Sequence, residues 1–174
     1  MPEEADARAR SVLGEGSLLW KSRGIDASFR RLIDSELFAS TPKRINMDSD
    51  IVTLRRPDEV LAWIESGTAP FQIADTLIEP RREDIDLSTA HVQAVFEAKL
   101  DELSQMLDLP SKYNRGSCAG FYGCRTELGL VPVERVIRAC MALNLRLDEW
   151  GIEQSIVTYL LSTAGGTILD TRHY

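Results

Sequence analysis

Histidine and cysteine are scarce in this chain, with two histidines and three cysteines in 174 residues. An odd number of cysteines argues against a disulfide framework of the secreted kind, so we expect reduced thiols. Structural zinc sites place paired ligands about two to four residues apart, whereas five residues separate Cys118 from Cys124. We therefore expect no metal and no cofactor. His91 and His173 give no sign of a Cys–His or Ser–His catalytic pair.

Long apolar runs are also missing. No stretch approaches the roughly 20 apolar residues that span a bilayer. The first residues, MPEEADARAR, lack the basic start and apolar core of a signal peptide. We expect a cytoplasmic protein without membrane contact. A phosphate-binding loop with its lysine is absent as well. A hydrophobic share of 44% with 27% charged residues indicates a globular chain rather than a disordered one.

The net charge of −7 is distributed unevenly. Residues 57–110 contain twelve Asp or Glu and three Lys or Arg, while residues 111–146 contain six Lys or Arg and two Glu. A basic segment inside an acidic chain is an asymmetry that indicates a partner. It is equally consistent with contact to nucleic acid and with docking on the acidic segment of the same or a sister chain.

Helical periodicity dominates the sequence. Apolar residues recur at three- and four-residue steps, and residues typical of helix ends delimit the patterns: Asp26 or Ser28 as a cap, Gly67 as a stop, and Asn144 where a left-handed residue ends a helix. Ile51 to Leu54 has strand character, but it can equally be an extended connector. The predicted helices cover residues 27–38, 57–66, 70–78, 88–108, 131–143 and 152–164.

These patterns predict an all-α fold, a compact multi-helix domain with at most one short strand or hairpin. We expect one domain over residues 1–174 in three parts, of which the first is a flexible or short helical start. The parts are a flexible start at 1–16, an acidic helical half at 17–110, and a basic loop with a C-terminal helix pair at 111–174.

The stretch VPVERVIRACMALNLRLDEW, residues 131–150, resembles the closing segment of the Cro-like or lambda-repressor-like (Xre) helix-turn-helix family. The resemblance implies that residues 118–126 form a recognition helix and that residues 131–144 support it from behind. Arginine can bind guanine bidentately and asparagine can bind adenine. Glycines within residues 111–130 equally allow an ordered, packed loop. The resulting candidate nucleic-acid-binding residues are Lys112, Asn114, Arg115, Arg125, Thr126 and Arg135.

Three functions follow from this reading. The first is a DNA-binding regulator that contacts double-stranded DNA through residues 111–146, with the acidic half used for homodimer or partner contact. The second is a non-enzymatic adaptor or inhibitor that binds a protein through exposed aromatic residues. The third is a cysteine-dependent enzyme that uses Cys118 or Cys124 in a basic loop. The aromatic residues expected to be exposed are Trp20, Trp63, Tyr113 and Phe121.

Overall fold

The computed structural model describes residues 2–74, 86–125 and 127–170, which form eight helices and four strands. The helices are α1 (Pro2–Leu13), α2 (Leu18–Arg23), α3 (Ala27–Leu37), α4 (Asp58–Ser66), α5 (Val92–Ala98), α6 (Leu100–Leu107), α7 (Leu130–Ala142) and α8 (Ile152–Thr163). The strands are β1 (Arg44–Met47), β2 (Phe71–Ala74), β3 (Ser117–Cys124) and β4 (Thr167–Leu169). No helix in these ranges is long and apolar enough to cross a membrane.

The strands form one mixed sheet in the order β1-β3-β2-β4. β3 runs antiparallel to both of its neighbours, while β2 and β4 are parallel. The register between β2 and β3 shifts at Gln72 and Ile73. The all-α prediction is therefore wrong, and the chain has an α/β fold in which helices pack on a four-stranded sheet.

The strands were not predicted because each of them is short or is buried on both faces of the sheet. The helix expected at 70–78 is replaced over Phe71–Ala74 by β2, in which Phe71, Gln72 and Ile73 are all buried. Most of β3 is buried as well, so neither strand shows the alternation of polar and apolar residues that marks a half-exposed strand. Residues 51–54 belong to no strand; the strand in this region is β1.

The helices agree better with the sequence. Asp26 caps α3 by accepting the backbone N–H groups of Ser28 and Phe29 at 2.8 and 3.0 Å, as a short carboxylate at this position predicts. Asn144 follows α7 with a left-handed φ of 57°, which confirms the predicted helix end. The long helix expected at 88–108 is divided into α5 and α6 at Lys99.

Two hydrophobic cores lie on either side of the sheet. The larger core joins α3, α5, α6, α7 and α8 to residues of β3 such as Tyr122 and Cys124. The smaller core joins α4 to the other face, where Phe71 makes edge-to-face contacts with Trp63 and Phe121 at 5.1 and 5.8 Å. The sheet is thus covered most fully at its centre, and β1 lies at its edge.

Candidate interaction surface

The predicted nucleic-acid-binding residues are not gathered at one place. Lys112 and Arg115 precede β3, and Arg125 follows it. A strand of eight residues at about 3.3 Å per residue places these cations about 25 Å apart. Arg135 lies on α7, and Thr126 lies outside the described residues. The recognition helix expected at 118–126 is not formed, because residues 118–124 belong to β3.

Some of these side chains have structural partners. The backbone N–H of Asn114 donates to Ser162 Oγ and its side-chain amide donates to the carbonyl of Gly166, both at 2.9 Å. These two bonds fasten the loop before β3 to the end of α8. The Arg115 guanidinium pairs with Glu97 at 2.7 Å, so its charge is already neutralised by a neighbour.

Three of the predicted cations remain without a carboxylate partner in the described ranges: Lys112, Arg125 and Arg135. Arg135 donates instead to the carbonyl of Leu107 at 2.6 Å. It lies on the exposed side of α7 with Arg138, which pairs with Glu134 at 2.8 Å. The basic segment therefore presents its unpaired charges singly, on different elements, rather than as one dense patch.

The aromatic residues expected to be exposed are mostly inside the protein. Trp63 and Phe121 are buried in the smaller core, and Trp20 and Tyr113 are half-buried. This prediction is wrong because tertiary packing on the second face of the sheet could not be foreseen from single residues. The most exposed tryptophan is Trp150, which is 79% exposed.

Strand β1 is the better candidate for a binding surface, since it pairs with β3 on one side and with no second strand among residues 2–74, 86–125 and 127–170. An edge strand carries backbone N–H and C=O groups that can pair with another chain. After β1, the Asp48 N–H still donates to the Gly120 carbonyl at 2.7 Å. The chain leaves the sheet after Asp48. The side of β1 that faces away from β3 is therefore not paired with the residues that follow it.

Both ends of β1 are held by α3. At its start, the Arg44 guanidinium donates to both carboxylate oxygens of Glu36 at 2.6 Å. Just beyond its end, Asp48 forms an ion pair with Arg31, which also binds Glu153 at 3.1 Å. An edge strand held in this way is preorganised, so a partner would lose little free energy in ordering it.

Burial strongly perturbs the two glutamates of these clamps. Burial raises the pKa of Glu36 to about 7, although Arg44 opposes the change. Burial also raises the pKa of Glu153 to about 7, against the lowering effect of Arg31. In both cases the loss of hydration in the folded protein outweighs the attraction of the nearby guanidinium.

The segment that follows β1 exposes apolar side chains. Met47, the last residue of β1, is 57% exposed, and Val52 and Leu54 are 71% and 84% exposed. Ile51, which lies between Met47 and Val52 in the sequence, packs against the smaller core and holds the segment in place. Single exposed apolar residues are ordinary on a protein surface, but three within eight residues, at the end of an edge strand, indicate a contact surface. Residues 44–54 are called the β1 edge below.

The two buried thiols show no sign of activation by their surroundings. Burial raises the pKa of both Cys124 and Cys140 to about 12, whereas a nucleophilic cysteine needs a lowered pKa. Cys118 is half-buried. The described residues contain no group of three or more His, Cys, Asp or Glu side chains that could hold a metal ion. Comparisons with protein-family models, curated protein sequences and solved structures give no significant match to this chain.

Proposed function

We propose that this protein is a non-catalytic binding module that takes up an extended segment of another protein along the β1 edge. In this mode the segment adds a strand to the sheet, its backbone hydrogen-bonds to β1, and its side chains give specificity. The observation that carries the proposal is an edge strand fixed at both ends, by Glu36–Arg44 and Arg31–Asp48, and followed by exposed apolar residues.

The partner's chemistry follows from the same residues. Met47, Val52 and Leu54 offer apolar contact, so the segment should carry apolar or β-branched residues. Because side chains of a strand alternate between its two faces, these residues should recur at every second position. Residues 44–58 contain three Arg and three Asp, and Arg56 pairs with Asp58 at 2.8 Å. The surface therefore has no strong excess of one charge, and apolar contact should dominate.

A selection from a random peptide library tests this proposal. The selected peptides should show alternating apolar residues, and amide NMR shifts on binding should fall on residues 44–54. The double variant Val52→Asp, Leu54→Asp should weaken binding by at least about tenfold, since burying two new charges is unfavourable. Val12→Asp is the matched control, because Val12 is 60% exposed on α1 and should leave binding unchanged.

The peptide backbone provides the sharper readout. Methylation of alternate peptide nitrogens removes the donors that would pair with β1, while methylation of the other set leaves them intact. Strand addition predicts that one set abolishes binding and the other does not. Equal effects of the two sets, or NMR shifts that map to another surface, would show that the β1 edge is not the binding site.

DNA binding is a second candidate, favoured by three cations that have no carboxylate partner among the described residues, Lys112, Arg125 and Arg135. If these alone contact phosphates, log K for duplex DNA should fall with log salt at a slope of about −3, since each neutralised phosphate contributes about −0.9. A titration of random-sequence duplex at two salt concentrations measures this slope. Salt-dependent binding that is weakened by Lys112→Ala together with Arg125→Ala would support the regulator.

A further inference from the structure

A cavity lies where the C-terminal ends of α6 and α8 meet the start of α7. Its volume is about 220 Å³, which exceeds the roughly 150 Å³ of a dry cavity known to hold benzene. It can therefore accept one ring with a short tail, or a short aliphatic chain. Its walls are mainly apolar and are formed by Leu107, Leu109, Pro132, Val136, Leu160 and Ala164.

Among the residues that the structure describes, Arg135 is the one cation that lines this cavity. The carbonyl of Leu107 accepts from its guanidinium at 2.6 Å and so holds the side chain at the cavity. In the described part of the chain no carboxylate pairs with it. Because a guanidinium has five N–H donors, donors remain for a second, anionic partner, and a carboxylate is the anion whose shape fits them best.

Glu127 is the other charged residue of the lining, and its interactions lie toward the sheet. Its carboxylate accepts the backbone N–H of Arg125 at 2.5 Å, and its charge adds to the larger effect of burial in raising the pKa values of Glu36 and Cys124. The Glu127 carboxylate is therefore engaged by the backbone at the end of β3. Arg135 is the charged group of the lining that is available to an anionic ligand.

We propose that this cavity binds a small amphipathic carboxylate, with an apolar body of about six to nine carbons between α6, α7 and α8 and its carboxylate on Arg135. The apolar walls supply affinity through burial, and the guanidinium selects the anion. This site uses none of the residues of the β1 edge, so it stands or falls independently of the proposed function.

The test compares two ligands with the same carbon skeleton, 3-phenylpropionate and 3-phenylpropan-1-ol, by calorimetry or NMR titration. The carboxylate should bind about ten- to a hundredfold more tightly, as expected for hydrogen bonds to a charged group. Arg135→Gln should remove this preference and leave the alcohol's affinity unchanged. Arg138→Gln is the matched control: Arg138 lies on the same exposed side of α7 and should have no effect.

A second variant tests the cavity itself. Ala164→Leu adds three carbons to the wall at the end of α8 and should abolish binding of both ligands, with folding checked by circular dichroism. The proposal is overturned if neither ligand binds, if the alcohol binds as tightly as the carboxylate, or if Arg135→Gln retains the preference. Binding that survives Ala164→Leu would place the ligand elsewhere.

Discussion

Replacing Glu153 by glutamine should stabilise this protein at neutral pH, although it removes one partner of an ion pair. Glu153 is 4% exposed in the first turn of α8, and the Arg31 guanidinium lies 3.1 and 3.2 Å from its two oxygens. Burial, with help from the charges of Asp48 and Asp26, nevertheless raises its pKa from 4.5 to about 7. The folded protein therefore binds this proton more tightly than the unfolded chain does.

The size of the effect follows from linkage. At about 1.4 kcal/mol per pKa unit, a carboxyl with a pKa of 4.5 in the unfolded chain and about 7 in the folded protein corresponds to about 3 kcal/mol. This contribution is fully present below pH 4.5 and is lost as the pH rises through 7. Glutamine resembles the protonated acid, and Arg31 keeps Asp48 as a partner, so no uncompensated charge remains.

Urea unfolding at pH 5, 6, 7 and 8 gives the measurement. Relative to the natural protein, Glu153→Gln should differ in unfolding free energy by less than about 1 kcal/mol at pH 5 and gain about 3 kcal/mol at pH 8. Glu134→Gln, which alters an exposed pair on α7, should change stability by only a few tenths of a kcal/mol. Loss of stability at pH 8 in Glu153→Gln would show that attraction to Arg31 exceeds the desolvation of the carboxylate, and our reasoning would fail.

Two further predictions concern the packing of Gly123 in the sheet and the reactivity of the three thiols. Gly123→Ala should lower the unfolding free energy by about 1–3 kcal/mol, because its Cβ would lie 2.2 Å from the ring of Phe71, which is wedged between two other aromatic rings; Gly16→Ala, which meets nothing within 4 Å, should have a far smaller effect in the same urea assay. Alkylation at pH 8, followed by mass spectrometry, should modify half-buried Cys118 first, while the buried Cys124 and Cys140 react only on unfolding. Rapid labelling of Cys124 in the folded protein would contradict its burial.

Several predicted helices are confirmed because their ends carry local signals. The carboxylate of Asp26 accepts N–H groups at the start of α3, Gly67 follows α4, and Asn144 adopts the left-handed conformation after α7. Glu149 lies just before α8, where a negative charge favours the start of a helix. Its carboxylate instead accepts the N–H of Val92 at 3.1 Å and caps α5, a partner 57 residues away that no local pattern reveals.

The interaction surface shows the same division. Counting charges identified a basic segment, but the intervening strand β3 separates its cations. The aromatic residues Trp63 and Phe121 suggested a protein-binding surface, yet they pack in the smaller core. Strand β1 was not predicted, since its four residues, RINM, show no periodicity of their own.

Most of the helices could be predicted from the sequence alone, because the interactions that form them are local. Periodic apolar faces, capping side chains and left-handed turn residues act within a few positions of the chain. The sequence alone also determines the net negative charge and the small number of histidine and cysteine residues. The sheet order, the clamps on β1 and the cavity beside Arg135 arose only from tertiary packing. Their partners are distant in the chain, and burial on both sides of β2 and β3 erases the alternation by which a strand is recognised.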